Sequence, residues 1–201
     1  MFLTEVPFKS NGKSIRFFDD HLELNNQSIR YDELEMLATN GISTRHTYIG
    51  IPVGRSFDGG VVFKTGNGKT AKIVMNSMTL FGIPIIRNPR KNEKLYPPLF
   101  DAIYSIVAKS MAQKYIDMIK GGTTVEVAGL TINSSEAVSK AKSEKKITVI
   151  NKENYGECRI TGIYSIVVHD KPGEILWIPS IWSNKNILLL PYILDAIFGN
   201  R

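Results

Sequence analysis

The segment Gly66-Asn67-Gly68-Lys69-Thr70 ends in the Gly-Lys-Thr of a phosphate-binding P-loop, in which backbone N–H groups and a helix N-terminus bind the phosphates. That motif needs a further glycine five residues before Gly68, where this chain has Phe63. It also needs a helix after Thr70, whereas residues 71–75 have the pattern of a strand. Because Gly-Asn-Gly tolerates positive φ, we predict a β-hairpin turn here instead of a nucleotide site.

A turn that combines acidic residues with a histidine is the second place where chemistry is conceivable. His21 follows Asp19-Asp20, and Glu23 is one strand step beyond it. Carboxylates and an imidazole at one tight turn can hold a divalent cation, but the same residues are common in solvated turns. We favour the solvated turn. Since none of the three histidines has another ligand at helical spacing, we predict no metal site.

Nucleophilic catalysis would need an activated side chain. Cys158, the single cysteine, is followed by Arg159, which could lower the pKa of the thiol, but no base accompanies it. The sequence also lacks the Gly-x-Ser-x-Gly elbow that activates a serine. We therefore interpret Cys158 as a strand residue and predict no catalytic residue, no cofactor and no enzymatic activity.

Two basic groups are candidate contacts for an anionic surface: segment 87–94, interpreted as a loop, and segment 140–146, interpreted as a turn. Each cation near an anionic membrane contributes about 1 kcal/mol, although solvated loops explain both groups at least as well. Trp182, beside Ser183-Asn184, is the best candidate for contact with a protein partner. The basic candidates are Arg87, Arg90, Lys91, Lys94, Lys140, Lys142, Lys145 and Lys146.

The composition is that of an ordinary globular protein, with 43% hydrophobic and 22% charged residues. A net charge of +6 suggests anionic partners, but acids interleaved with the bases favour a solvated surface. An acid and a proline within residues 1–7 are unlike a signal peptide, and no stretch approaches the roughly 18 apolar residues of a spanning helix. With a single cysteine, we expect a reducing, cytoplasmic setting.

The elements that must position these residues are mostly strands. Alternating runs at 14–18, 21–24 and 28–31 are separated by the turn pairs Asp19-Asp20 and Asn25-Asn26. Further strands are predicted at 48–53, 60–63, 71–75, 125–127, 130–132, 146–150, 159–163, 165–168 and 174–178.

Two amphipathic helices, each started by a proline, follow the two groups of strands. The first begins at Pro97, runs for about 22 residues and ends at Gly121-Gly122; the second follows Pro191 and ends at Gly199. Residues 97–103 match 191–197, and residues 83–86 match 178–181, which indicates an internal duplication, with chance similarity as the alternative.

Six or seven strands and then one helix form each half. This order, the opening segment 14–34 and the segment 186–189 before the last helix resemble the pleckstrin-homology-like superfold, in particular bacterial PH-like domains in tandem. The resemblance implies an α+β fold of two strand-rich PH-like barrels or bent antiparallel sheets. Each would end in a C-terminal amphipathic helix, the first one long. The predicted domains are residues 1–120 and 121–201.

Three functions remain in competition. The first is a non-catalytic adaptor that binds a protein partner or a second copy of itself, through an exposed strand edge or along the long helix. The alternative is peripheral binding to an anionic membrane through the basic groups. PH domains that bind phosphoinositides use basic residues at the first hairpin, whereas Asp19-Asp20 make this turn acidic. Nucleic-acid binding driven by net charge is the least favoured.

Overall fold

The structure, a computed structural model, describes residues 1–8, 13–81, 83–86, 89–139, 147–161, 165–178 and 185–199. Its fold is α+β, as predicted, with antiparallel sheets, one long helical segment and a shorter helix near residue 199. The chain forms two compact units, residues 1–107 and 108–201, and each is described by itself. The domains 1–120 and 121–201 stay a prediction.

Unit 1 consists of strands followed by a helix. Its strands are β1 (Phe2–Pro7), β2 (Ser14–Phe18), β3 (His21–Leu24), β4 (Gln27–Arg30), β5 (Leu34–Tyr48), β6 (Ile51–Thr65), β7 (Thr70–Val74), β8 (Ser77–Leu80) and β9 (Ile83–Ile86). One sheet has the order β1-β2-β3-β4; the other has the order β5-β6-β8-β9, with β7 paired to β6. Within the described residues both sheets are open, so the bent-sheet form of the prediction applies and the closed-barrel form does not.

Alternation of apolar and polar residues produces the first sheet. Ile15 and Phe17 of β2 and Leu22 and Leu24 of β3 are buried, while the residues between them remain accessible. The turn Asn25-Asn26 has φ values of 51° and 64°, a left-handed conformation that asparagine tolerates. The predicted strands 14–18 and 21–24 agree with β2 and β3.

Strands β5 and β6 form one long antiparallel ribbon, in register from Leu34 opposite Thr65 to Tyr48 opposite Ile51. The strand predicted at 48–53 is wrong, because the ribbon reverses direction at Ile49-Gly50. Gly50, with a φ of 76°, is the turn residue in this segment. The alternating apolar residues on both sides of it favoured a continuous strand instead.

Glycines in the middle of this ribbon make room for a helix side chain. Gly41 lies opposite Gly59. The ring of Tyr96 covers Gly41 so closely that a Cβ there would lie 2.5 Å from the Cε1 atom of the ring. Tyr96 is almost completely buried and also contacts Phe57, with ring centroids 5.5 Å apart. Glycine usually marks a turn, but Gly41 lies within a strand and leaves space for the Tyr96 ring.

The long helical segment comprises α1 (Pro89–Ala102), a π-helical stretch (Ile103–Ala108) and α2 (Lys109–Lys120). The predicted start at Pro97 is wrong, since Pro97 and Pro98 lie inside α1. Prolines inside a helix remove two backbone donors, but α1 is held by tertiary contacts that local propensity does not include. The predicted stop is confirmed, since the helix ends at Lys120 before Gly121 and Gly122.

Two polar side chains at the start of α1 attach it to the second sheet of unit 1. The Nδ2 of buried Asn92 donates to the carbonyl of Met75 (2.8 Å). Glu93 accepts a hydrogen bond from Ser43 Oγ (2.6 Å) and pairs with Arg55 Nε (2.8 Å). These contacts fix the helix over the middle of the β5–β6 ribbon.

Unit 2 begins with α2 and repeats the order of strands and then a helix. Its strands are β10 (Val125–Val127), β11 (Leu130–Ile132), β12 (Glu136–Ser139), β13 (Val149–Asn151), β14 (Tyr155–Thr161), β15 (Ser165–Asp170) and β16 (Ile175–Trp177), followed by a 3-10 turn (Ile187–Leu189) and α3 (Leu190–Phe198). The sheet orders are β10-β11-β12-β13 and β14-β15-β16.

Helix α3 supplies much of the core of unit 2. Leu190, Ile193, Leu194 and Ile197 are buried, and α3 packs against α2 and β14. The hydroxyl of Tyr155 donates to Asp195 on α3. Pro191 lies at the start of α3, as predicted, unlike Pro97 in α1. Residues 179–181 of the proposed duplication lie outside the described residues.

Candidate functional site

The predicted basic contacts are only partly described. Lys91 and Lys94 are exposed on α1, so the prediction of a loop over 87–94 is wrong from Pro89 onwards. The remaining predicted contacts lie outside the described residues, namely the side chain of Arg90 and residues Arg87, Lys140, Lys142, Lys145, Lys146 and Trp182. Their roles stay predictions.

The Gly-Lys-Thr segment is a hairpin turn, as predicted. It joins β6 to β7, Gly68 has a φ of 85°, and Thr65 Oγ1 donates to Asn67 Oδ1 (2.6 Å). A strand follows Thr70 where a P-loop requires a helix. The segment therefore lacks the helix N-terminus that would bind a phosphate.

At the acidic turn, the Nδ1 of His21 lies 2.7 Å from Asp20 Oδ1, and the histidine ring stacks on Phe18 with centroids 4.3 Å apart. The hydrogen bond to His21 holds the pKa of the Asp20 carboxyl below its ordinary value. Within the described part of the chain, no group of three or more His, Cys, Asp or Glu side chains is placed to hold a metal ion. The Asp20 carboxylate already forms a hydrogen bond with the adjacent His21.

Cys158 is a buried residue of β14, which confirms the strand interpretation. Burial, and then the nearby carboxylates of Asp195 and Glu157, raise the pKa of the thiol. The thiol is therefore protonated at neutral pH, the opposite of what a nucleophilic cysteine requires.

A group of exposed apolar side chains lies at the turn end of the second sheet of unit 1. We call it the apolar tip. The Phe81 N–H donates to the Val53 carbonyl (2.5 Å), which places the β8–β9 turn beside the β5–β6 turn. Between them lies a cleft of about 450 Å³ lined by residues that include Tyr48, Pro52 and Phe81. The apolar tip consists of Tyr48 (67% exposed), Ile49 (83%), Ile51 (66%), Phe81 (76%) and Ile83 (63%).

The apolar tip stands on a part of the ribbon that has no buried residue. Residues 42–56 are all exposed or half-buried, in contrast to the core-facing alternation of residues 57–65. Burial of a side chain of this size is worth about 1.5 to 3 kcal/mol. Contiguous exposed apolar side chains are a common feature of surfaces that bind proteins or membranes.

Two residues of the apolar tip have a backbone conformation that disfavours them. Ile49 and Phe81 both have a φ of 48°, in the left-handed region where β-branched and bulky residues are rare. Such a conformation costs of order 1 to 3 kcal/mol. The β3–β4 turn has the same sign of φ at both central residues and uses Asn25-Asn26. Turn geometry alone therefore does not select isoleucine or phenylalanine at the tip.

The positive charge of the chain falls mainly in one segment of the sequence, which contains most of this sheet. Residues 36–92 contain eight Lys or Arg and a single acid, Asp58, a net charge of +7, whereas the rest of the chain contains 17 bases and 18 acids, a net charge of −1. Arg45 and Arg55 lie opposite each other on the ribbon, and Arg55 also pairs with Glu93. Arg45 and Arg55 are therefore the arginines that the described part of the ribbon places near the apolar tip, and Arg45 is exposed there.

Sequence reasoning located bases near this sheet but missed the apolar tip. The residues of the tip have the composition of a core strand, and only the position of the turn shows that they are exposed. One signal was present in the sequence, namely the run of residues 59–92 without an acid. Charge asymmetry along the chain was more informative here than the net charge of +6.

Comparison with protein-family models, curated proteins and solved structures found no match to this chain. None of the helices in the described residues is both long and apolar enough to cross a membrane. The geometry of unit 1 is therefore the main guide to function.

Proposed function

We propose that this chain is a non-catalytic interaction module that binds a macromolecular surface with the apolar tip of unit 1. The observation that carries the proposal is the coincidence of exposure and backbone strain at Ile49 and Phe81. Strain that the fold does not require is a reason to infer function at those residues.

A second feature supports an interaction role. β9 is an edge strand whose only strand partner within the described residues is β8. Ile83, Ile85 and Ile86 of β9 are more than half exposed. An edge strand with apolar side chains can pair with a strand of a protein partner or of a second copy, as in an adaptor.

We also propose that the two units are PH-like domains and that the protein is cytoplasmic. Unit 2, with four strands, three strands and then α3, supports a PH-like order of elements. A cytoplasmic setting suits a module whose single cysteine is a buried thiol. Nucleic-acid binding is the weakest candidate, because only one exposed arginine, Arg45, accompanies the aromatic rings of the tip on the described ribbon, whereas nucleic-acid binding needs a row of cations along the backbone.

Photocrosslinking in intact cells tests this proposal. We expect p-benzoylphenylalanine in place of Phe81 to form specific crosslinks, identified by mass spectrometry as protein, lipid or a second copy. The matched control carries the same group in place of Ile175, a residue of unit 2 that is 60% exposed. If the crosslinks at Phe81 do not exceed those at Ile175, the apolar tip is not a binding surface.

A further inference from the structure

We propose that the surface bound by the apolar tip is an anionic lipid membrane, into which the two turns insert while the nearby Arg45 side chain contacts lipid phosphates. This inference rests on the proposed function and names the partner of the same site. It differs from the predicted membrane contact through segments 87–94 and 140–146, because the inserting residues are apolar and lie at two turns.

The geometry matches the layers of a membrane interface. Ile49 and Phe81 lie at turns on the same end of the sheet, and each is more than three-quarters exposed. Apolar groups that bind in the interface reach about 5 to 10 Å into the boundary between headgroups and acyl chains. Arg45 of β5 is four residues before Ile49, which corresponds to about 13 Å at 3.3 Å per residue of extended chain. When the tip inserts, Arg45 is therefore at the level of the phosphates.

Charge decides between the possible occupants of the tip. A second copy bound tip to tip would bring the exposed Arg45 of one copy near the same residue of the other, and the repulsion of like charges opposes pairing of free copies. A phospholipid surface has an anionic layer that complements the arginine and an apolar layer beneath it that complements the tip. A protein partner would need an apolar surface edged with acids, and it becomes an alternative outcome of the test.

The conformation of the turn points the same way. At the β5–β6 turn, asparagine would satisfy the φ of 48° that Ile49 adopts, as Asn25 does in the β3–β4 turn. The isoleucine side chain at this position is instead exposed to solvent at the end of the sheet. The two strained residues are also the two most exposed residues of the tip, as insertion of the turns would require.

Co-sedimentation of the full chain with vesicles tests the inference. The vesicles consist of phosphatidylcholine alone or of phosphatidylcholine with phosphatidylserine, and the salt concentration is varied from low to above physiological. We expect binding to the anionic vesicles only. Binding should weaken as salt rises but remain measurable, because insertion of the tip is not screened by salt.

The key variant is Ile49→Asn combined with Phe81→Asn, which leaves the net charge unchanged. We expect it to bind anionic vesicles roughly tenfold or more weakly, because two apolar side chains no longer insert. Its thermal unfolding midpoint should not fall, since asparagine suits a positive φ. The matched control is Ile175→Asn with Ile178→Asn, at positions that are 60% and 51% exposed, and it should bind like the unmodified chain.

A second pair of variants isolates the charge. Arg45→Gln should weaken binding about fivefold, which corresponds to about 1 kcal/mol for one cation at an anionic surface. The control Lys114→Gln, an exposed residue of α2, should have no more than a small effect. Equal losses in both variants would mean that only the net charge matters, which would overturn the inference.

Two other outcomes would also overturn it: no binding to anionic vesicles even at low salt, or equal binding to neutral vesicles. If vesicle binding fails while the photocrosslinker at residue 81 captures a protein in cells, the proposed function stands and the membrane inference falls. If residue 81 forms no crosslink above the control at residue 175 and vesicle binding also fails, both are wrong.

Discussion

Replacing Gly41 with alanine is expected to destabilise unit 1 by about 3 kcal/mol, the upper end of the range for overpacked sites. The new methyl carbon would lie 2.5 Å from Cε1 and 2.9 Å from Cζ of the Tyr96 ring. The ring cannot easily move aside, because it is buried and packs between Phe57 and Phe100, with centroid distances of 5.5 and 6.1 Å. Urea unfolding followed by circular dichroism would measure the loss.

Two further variants give this prediction its control and its rescue. Gly66→Ala adds a methyl group whose nearest contacts are the carboxylate and Cγ of exposed Glu35, and it should change stability by less than about 0.5 kcal/mol. Tyr96→Leu removes the ring, so the cost of Gly41→Ala in that background should fall by at least about 1 kcal/mol. Additive losses would show that Tyr96 does not limit the space at Gly41.

Unit 2 is expected to lose about 4 kcal/mol of stability between pH 8 and pH 11 through two buried groups. Burial, and then the hydrogen bond to Asp195, raise the pKa of Tyr155 above its ordinary value of 10.0. Burial also raises the pKa of Cys158 above its ordinary value of 9.0. In the folded state both groups keep their protons, whereas the unfolded chain releases them above these ordinary values.

The sign and the slope follow from this difference in bound protons. Below pH 9 both states are protonated at Cys158 and Tyr155, so these groups cause no change in stability. Above pH 9 the cysteine lowers the free energy of unfolding by about 1.4 kcal/mol per pH unit, and above pH 10 the tyrosine lowers it by the same amount.

The fluorescence of tryptophan makes this measurement specific to unit 2, because Trp177 and Trp182 are the two tryptophans and both follow residue 108. Urea titrations across this pH range should show the loss. The variant Cys158→Ala should remove the slope that begins near pH 9, and Tyr155→Phe the additional slope above pH 10. An unchanged pH profile in both variants would refute the assignment to these residues.

Local patterns predicted the parts of the fold that local residues determine. The strands β2 and β3, the turn at Gly66-Asn67-Gly68, the helix stop at Gly121 and the helix that contains Pro191 are all set by neighbours in the sequence. The α+β class followed from the resemblance to PH-like domains, which rests mainly on the order of strands and helices.

Other parts of the fold depend on residues that are distant in the sequence. Gly41 lies within a strand whose face is covered by the ring of Tyr96. Pro97 lies inside a helix that begins at Pro89 and is held in place by Asn92 and Glu93. Neither arrangement can be derived from a short window of sequence.

The candidate site was beyond sequence reasoning for a related reason. Tyr48, Ile49 and Phe81 have the residue types of a buried strand, and their exposure depends on where two turns meet in space. The basic residues could be found from the sequence alone, because charge is visible without a fold.

The exposed edge of β9 has a consequence for assembly. Cations on its sheet act as gatekeepers in free solution, since mutual repulsion opposes edge-to-edge pairing. An anionic surface would neutralise those cations and hold copies in one plane, so bound molecules should pair laterally through β9. The variant Ile85→Cys should then form disulfide-linked dimers on anionic vesicles but not in solution, and equal yields in both would contradict this. The same charges would thus disperse the free protein and allow it to form clusters on the surface it binds.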